Sequence, residues 1–289
     1  MPSYPAPAKL NLDLRITGRR ADGYHELESI FTLIDLQDTL DIEPRDDGRI
    51  VLHTPLTGVP PEQDLCVRAA RALQNFSGCP LGADIRVEKR IPTGGGLGGG
   101  SSDAATVLMV LNRLWDLNLP SNTLQKIGLT LGADVPFFLF GQSAFARGIG
   151  EILTPLALPP QWYVLVRPNV HVATPKVFAH PDLPRDSTPC AAPSFAALQP
   201  FRNDMQAVVL AEYPPVAAAF RLLQDYGSPR MTGSGACLFL AFDGEAQAQA
   251  VHSRLPEQLE SWCVQGLDIH PVGAVLVAKQ NTGHPSMQS

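Results

Sequence analysis

Residues 9–16 alternate between polar and apolar side chains. The apolar positions are Leu10, Leu12, Leu14 and Ile16, and the polar positions are Lys9, Asn11, Asp13 and Arg15. A period of two predicts a half-buried strand whose polar side chains project together away from the core. Shorter apolar runs at 85–91, 163–166, 238–242 and 272–277 predict further strands.

Apolar residues at helical spacing predict several helices. One covers 65–76, with Asp64 as a suitable N-cap, and a stronger one covers 104–115, which Ser101 or Ser102 can cap. Weaker patterns occupy 205–213, 216–226 and 245–255. Residues 132–136 predict a turn or loop, because Pro136 disfavours helical geometry at Val135. The proline-dense stretch 180–200 predicts a long loop.

The order of these elements changes past Ile152, where the strands and helices of a second unit begin. We therefore predict an α+β chain with two lobes, 1–155 and 156–280, whose boundary lies near 153–158. The polar residues 281–289 predict a flexible tail.

Composition and charge exclude several classes of protein. A net charge of −6 over 289 residues disfavours non-specific binding to nucleic acid, which depends on clustered Lys and Arg. The five cysteines are scattered without a C-x-x-C pair, which indicates reduced thiols rather than a zinc or redox site. His171 and His180 also lack metal-ligand spacing. No apolar run approaches the roughly 20 residues that span a bilayer, and no signal pattern opens the chain, so we expect a cytoplasmic protein.

A glycine-rich turn precedes the strongest predicted helix. Glycines let several N–H groups converge on one anion, and the start of the helix adds its positive end. Together they predict a phosphate cradle. Its residues are Gly94, Gly95, Gly96, Leu97, Gly98, Gly99, Gly100, Ser101 and Ser102.

Other interpretations of this turn fit less well. A Walker A loop needs a lysine after the glycines, and none follows. A dinucleotide site needs an acid about 20 residues later, where 117–123 predicts a loop. A flexible linker would not run straight into an amphipathic helix. Asp103 repels a phosphate unless Mg²⁺ or a lysine lies between; it either helps to hold Mg²⁺ through water or is a plain helix-start carboxylate.

Five segments in this order resemble the motifs of the GHMP kinase superfamily. They are Pro7-Ala8-Lys9-Leu10-Asn11, Gly23-Tyr24-His25-Glu26, the Gly94–Ala104 loop, Gly132-Ala133-Asp134-Val135-Pro136 and Thr232-Gly233-Ser234-Gly235-Ala236. The resemblance implies an N-terminal ribosomal-protein-S5-domain-2-like lobe and a C-terminal ferredoxin-like lobe with a cleft between them. The second and third segments resemble the members that act on a cytidine-diphosphate-linked polyol.

The resemblance also implies the activity and the site. It implies an ATP- and Mg²⁺-dependent kinase that phosphorylates the 2-hydroxyl of a cytidine-diphosphate-linked methylerythritol in the non-mevalonate route to isoprenoids. Asp134 would be the catalytic acid/base and Lys9 its partner. The implied substrate contacts are Asn11, Tyr24, His25, Thr174 and Phe178, and the turn expected near the phosphates is Gly233, Ser234 and Gly235. No protein ligand for the metal is assigned, and a monomer or weak homodimer is expected.

Two points keep alternatives open. Members that act on the cytidine-diphosphate-linked polyol often carry Asn where this chain has Asp64. This difference leaves the contacts to adenine undecided. The superfamily motifs alone also fit a kinase acting on homoserine, mevalonate or a sugar, or a nucleotide-binding protein without turnover. An RNA-binding α/β protein is disfavoured by the acidic charge.

Overall fold

Two long antiparallel strands, β1 and β2, form the centre of the molecule. The computed structural model describes residues 2–55, 58–190 and 193–282. The strands are β1 (Ser3–Arg19), β2 (His25–Arg45), β3 (Ile50–Leu52), β4 (Gly82–Glu88), β5 (Ala144–Arg147), β6 (Ile152–Pro155), β7 (Trp162–Arg167), β8 (Arg230–Met231), β9 (Leu238–Phe242) and β10 (Glu260–Leu267). The α-helices are α1 (Leu65–Ser77), α2 (Gly99–Leu114), α3 (Ser121–Leu129), α4 (Val135–Phe140), α5 (Thr174–Ala179), α6 (Gln206–Glu212), α7 (Pro214–Gln224), α8 (Glu245–His252) and α9 (Val272–Thr282).

The strands join into one sheet that crosses both halves of the chain. Its main path is β3-β4-β2-β10-β7-β9-β8, while β1 and β5 also pair with β2 and β6 pairs with β5. Strand β10 pairs with β2 through Gly266 and Leu267 and with β7 over most of its length. The two lobes therefore share backbone hydrogen bonds. The proposed boundary after Pro155 falls in the connection between β6 and β7.

A bulge in β1 overturns part of the predicted alternation. Asn11 lies opposite Phe31, but Asp13 lies opposite Ile30, so Leu12 is an extra residue in the ladder. An extra residue reverses which side chains face which side of a sheet. Lys9 and Asn11 consequently share one face, and Asp13 with the residues after it is inverted relative to the predicted pattern.

Three apolar clusters hold the layers together. The first packs α1, α2 and α4 on the strands of the N-terminal half, and the second packs α6 and α7 around β7 and β9. The third lies between the halves and joins residues of β1 and β2 to Tyr163 and Phe239. Burial of aromatic and aliphatic side chains between the lobes fixes the walls of the cleft.

Several local predictions were wrong. Residues 272–277 belong to α9 rather than to a strand, and this helix covers the first two residues of the predicted tail; 283–289 lie outside the described residues. Val135 and Pro136 open α4 rather than a loop, because proline is tolerated in a first helical turn. The N-cap of α2 is Gly98, not a serine. Across the described ranges, no helix has the length and apolar character needed to cross a membrane.

Candidate active site

A central cavity of about 540 Å³ lies between the two lobes. It is bounded by β1, the glycine-rich turn, the start of α4, the start of α5 and the 233–235 turn. An outer cavity, also about 540 Å³, adjoins it and shares five lining residues with it, among them Phe178. On the other side of the glycine-rich turn, a loop cavity of about 300 Å³ leads to an inner pocket of about 220 Å³.

Lys9 and Asp134 meet at the wall of the central cavity. The Lys9 ammonium Nζ lies 3.7 Å from Oδ2 of Asp134, whose side chain is 36% exposed, whereas Lys9 is buried. Burial lowers the pKa of Lys9, and the neighbouring Asp134 carboxylate opposes this shift. Nζ also lies over the ring of Phe31, 5.3 Å from its centroid. The site thus holds a fixed cation beside a carboxylate that solvent and ligands can reach.

Asn11 orients Lys9 and ties β1 to the second lobe. Its Oδ1 accepts a hydrogen bond of 2.6 Å from Nζ of Lys9, and its Nδ2 donates to Oγ of Ser29 at 2.8 Å. The main-chain N–H of Asn11 donates to Oγ1 of Thr232, which directly precedes the 233–235 turn. This network leaves Lys9 little rotational freedom.

The glycine-rich turn passes so close to its surroundings that side chains cannot fit. Gly96 and Gly98 have φ of 77° and 72°. A Cβ on Gly96 would lie 2.4 Å from the carbonyl oxygen of Thr232, and one on Gly98 would lie 3.3 Å from Cε of Lys9. The turn therefore brings backbone N–H groups and the start of α2 to the cavity wall.

The two serines of the turn differ. Ser101 lines both the central cavity and the loop cavity. Ser102 is fully buried, and its hydroxyl donates to the carbonyl oxygen of Pro7 at 2.7 Å. The side chain of Ser102 therefore anchors β1 to α2, which corrects its prediction as a phosphate contact. Gly95, Leu97, Gly99 and Gly100 line the loop cavity.

Lys89 lies beside Asp103, whose negative charge would otherwise repel a phosphate at the glycine-rich turn. Its Nζ lies 2.7 Å from Oδ2 of Asp103 and also contacts the buried carboxylate of Asp38. Burial raises the pKa of Asp103, and Lys89 opposes that shift. Oδ1 of Asp103 has no partner among the described residues and borders the inner pocket. Asp64 also borders it and caps α1 by accepting from the N–H of Cys66, a role that Asp and Asn fill equally well.

The outer cavity contains an aromatic pair. The rings of His25 and Phe178 are stacked with centroids 4.8 Å apart and an interplanar angle of 27°. Tyr24 lines the same cavity and is 60% exposed. Phe178 thus stacks on the ring of His25 at one end of this cavity. Thr174 faces the second-lobe turn, with its Oγ1 2.6 Å from Oγ of Ser234.

Sequence reasoning missed two further residues at this site. His171 lines the central cavity, and its Nδ1 would lie 2.8 Å from a Cβ on Gly94. Arg185 donates to Nε2 of His25 at 3.1 Å. Both come from segments without a repeating pattern, so the sequence held no signal for either.

Comparisons with known proteins match both halves of the chain. The profile of the GHMP kinases N terminal domain matches residues 64–142, and that of the GHMP kinases C terminal domain matches 191–261. A 4-diphosphocytidyl-2-C-methyl-D-erythritol kinase of Neisseria meningitidis serogroup A is 56% identical over 273 residues, which cover 94% of this chain and 97% of that protein. The chain belongs to the 4-diphosphocytidyl-2-C-methyl-D-erythritol kinase family of GHMP kinases.

Solved structures agree with this assignment. A crystal structure of 4-(cytidine 5'-diphospho)-2C-methyl-D-erythritol kinase superposes with a TM-score of 0.79 at 35% identity, covering 92% of this chain and 99% of that one. The Methanococcus jannaschii mevalonate kinase superposes with a TM-score of 0.68 at 13% identity, covering 92% and 98%. The second likeness shows the fold alone. The family confirms the two-lobed GHMP architecture predicted from the sequence.

The donor set of the site suits a magnesium ion that is held mainly by a nucleotide. Among the described residues, no group of three or more His, Cys, Asp or Glu side chains could bind a metal. Mg²⁺ keeps several waters and binds one or two protein oxygens together with substrate phosphates. Asp134 and the hydroxyl of Ser101 are the oxygens beside the glycine-rich turn that fit this arrangement.

Proposed function

We propose that this chain transfers the γ-phosphoryl group of ATP to the 2-hydroxyl of 4-diphosphocytidyl-2-C-methyl-D-erythritol, a step of the non-mevalonate route to isoprenoids. The observation that carries the proposal is the Lys9–Asp134 pair, 3.7 Å apart, between the glycine-rich turn and the outer cavity. The family to which the chain belongs supports the substrate.

The pair matches the chemistry of the acceptor hydroxyl. Phosphoryl transfer depends mainly on positioning and charge neutralisation, together with a group that accepts the hydroxyl proton. The reachable Asp134 carboxylate accepts that proton. The buried Lys9 ammonium stabilises the developing alkoxide, and Asn11 holds the ammonium in place for this task.

The glycine-rich turn and the start of α2 hold the triphosphate. The N–H groups from Gly94 to Gly100, the dipole of the 16-residue α2 and the hydroxyl of Ser101 face the phosphates. The 233–235 turn closes on them from the second lobe. Mg²⁺, when bound, neutralises the charge that develops on the phosphate oxygens. The inner pocket takes the adenine, and Asp64, Lys89 and Asp103 line its walls.

The outer cavity holds the cytidine end of the acceptor. His25 and Phe178 present ring faces and a ring edge to a base, and Tyr24 adds an exposed aromatic ring to the same cavity. Thr174 and Asn11 lie in the central cavity, where the polyol must sit for its hydroxyl to reach Asp134.

Steady-state kinetics of three variants test this assignment. Asp134→Ala should fold and bind ATP but lose at least about 10²-fold in kcat, the scale of acid–base assistance. Tyr24→Ala and Phe178→Ala should raise KM for the cytidine substrate and leave KM for ATP unchanged. Near-normal kcat in the first variant would contradict the role of Asp134. An unchanged acceptor KM in both others would contradict the cytidine site.

A further inference from the structure

The guanidinium of Arg185 donates four hydrogen bonds beside the outer cavity. Its Nε–H donates to Nε2 of His25 at 3.1 Å, and its Nη1 donates to the carbonyl oxygen of Leu183 at 2.9 Å. Its Nη2 donates to the carbonyl oxygens of Phe178 and His180, both at 2.9 Å. Arg185 therefore fixes the main chain behind Phe178 and contacts the edge of His25 at the same time.

These contacts decide which nitrogen of His25 carries the proton. A guanidinium has donors and no acceptor, so Nε2 of His25 must offer its lone pair. The neutral imidazole then has its proton on Nδ1. An imidazolium would direct an N–H at the N–H of Arg185. Burial and the charges of Arg185 and Arg19 lower the pKa of His25, which favours the neutral ring.

The ring is also held in place by its surroundings. Phe178 stacks on one face of His25, and the carbonyl of the same residue accepts from Arg185. The segment that carries Arg185 is attached to both central strands, because Ser187 N–H donates to the carbonyl of Ile16 at 3.0 Å and Cys190 N–H donates to Glu28 Oε2 at 2.8 Å. Arg185 therefore approaches His25 from a fixed position.

The second nitrogen of the ring is available to a ligand. Within residues 2–55, 58–190 and 193–282, Nδ1 of His25 has no hydrogen-bond partner, and His25 lines the outer cavity. Cytosine and uracil differ at N3: cytosine offers a lone pair there, whereas uracil carries an N–H. An N–H donor with a fixed proton therefore forms a hydrogen bond with N3 of cytosine but directs its hydrogen at the N3–H of uracil.

We propose that Arg185 is a positioning residue that sets the base specificity of the kinase, by holding His25 in the Nδ1–H tautomer so that its ring donates to N3 of cytosine. The inference rests on the proposed cytidine substrate. Without Arg185, either ring nitrogen can carry the proton, and a tautomer with a bare Nδ1 accepts the N3–H of uracil. Arg185 thus acts through His25 and does not itself touch the base.

A double-mutant cycle with two acceptors tests the proposal. The acceptors are the cytidine substrate and its uridine counterpart, and the measured quantity is the ratio of their kcat/KM values. Arg185→Met should lower this ratio roughly tenfold or more, the effect of relieving an opposed donor pair. His25→Ala should lower it similarly, and adding Arg185→Met to His25→Ala should lower it no further.

A matched variant shows whether the change in the kcat/KM ratio comes from the lost contact with His25 or from a loosening of the segment that carries Arg185. Arg202 holds the same segment through Oγ of Ser187 and the carboxylate of Asp204, but it does not contact His25. Arg202→Met should leave the ratio unchanged. If Arg185→Met weakens both acceptors equally, or lowers the ratio as much in the His25→Ala background, the proposal is wrong.

The tautomer can be observed without turnover. In the free wild-type protein labelled with ¹⁵N-histidine, the resonances of His25 are those missing from His25→Ala. Proton coupling should place the hydrogen on Nδ1, and a proton on Nε2 would overturn the proposal. A protein that shows the Nδ1–H tautomer but phosphorylates no cytidine acceptor would refute the proposed function alone. Turnover of both acceptors at equal rates would refute the specificity role alone.

Discussion

Replacing Lys9 with methionine should abolish most activity without destabilising the protein. Methionine keeps the length and apolar stem of the side chain and removes the ammonium that contacts Asp134 and Asn11. The substitution has two opposing effects on the free energy of unfolding: it removes an ionic attraction, and it removes the cost of desolvating a buried charge.

The attraction between Lys9 and Asp134 at 3.7 Å amounts to about 4 kcal/mol at an effective dielectric constant of about 20. It is reduced further because Asp134 is 36% exposed to water. Against it stands the desolvation of the buried ammonium, which costs several kcal/mol and lowers the pKa of Lys9. Since the two nearly cancel, we expect the free energy of unfolding to change by less than about 1 kcal/mol.

The effect on the reaction has no such compensation. In the proposed mechanism the charge of Lys9 acts on the alkoxide that develops in the transition state, so its removal should lower kcat by roughly 10²–10³-fold, the effect of losing one preorganised donor. KM for ATP should stay within about threefold, because the binding of the nucleotide does not use Lys9.

Two measurements on one preparation check the predicted loss of kcat and the predicted stability. ADP release gives kcat, and urea unfolding gives the free energy of unfolding. Lys126→Met, at an exposed position of α3, controls for the substitution itself. The reasoning fails if Lys9→Met keeps more than about a tenth of wild-type kcat. It also fails if the variant is destabilised by more than about 3 kcal/mol, as expected for breaking a pair whose partner stays buried.

Three further predictions follow from individual contacts. Lys89→Met should destabilise the protein by about 3–5 kcal/mol in urea unfolding, because it leaves two buried carboxylates unpaired; a stability equal to wild type would contradict the ion pairs described above. Burial lowers the pKa of His270 to about 3, so its folded state stays neutral and stability is lost as pH falls below the unfolded pKa of 6.5. His270→Asn keeps a side-chain acceptor for the next helix and should recover about 2 kcal/mol of the loss between pH 6.5 and pH 5; an unchanged pH dependence would count against a neutral His270. Gly96→Ala should raise KM for ATP at least about tenfold, since its Cβ would press on the carbonyl of Thr232; an unchanged KM would show that the turn can move aside.

Residues whose roles follow from local chemistry were predicted well from the sequence. The shared face of Lys9 and Asn11, the glycine-rich turn before α2 and the capping role of Asp64 are as the pattern predicts. Each depends on neighbours within a few residues along the chain, so period, glycine content and capping preference suffice to find it. The structure also brings Lys9 and Asp134 together, which the strand pattern alone could not establish.

Features that depend on distant contacts were not predictable. The bulge at Leu12 arises from pairing with β2, and it decides that Lys9 and Asn11 face the cleft while Asp13 accepts from the N–H of Arg202 on the opposite side. The apolar run at 272–277 is too short for its pattern to distinguish a strand from a helix, and in the folded protein it forms part of α9. Arg185 meets His25 across 160 residues of sequence, a distance no local pattern spans.

The central claim concerns the acceptor, and ADP release from Mg-ATP tests it most directly. The purified protein is supplied in turn with 4-diphosphocytidyl-2-C-methyl-D-erythritol, mevalonate and homoserine, and Asp134→Ala serves as the inactive control. We predict turnover with the cytidine compound alone, and its loss in the control. Turnover with mevalonate or homoserine, or with none of the three, would contradict the account.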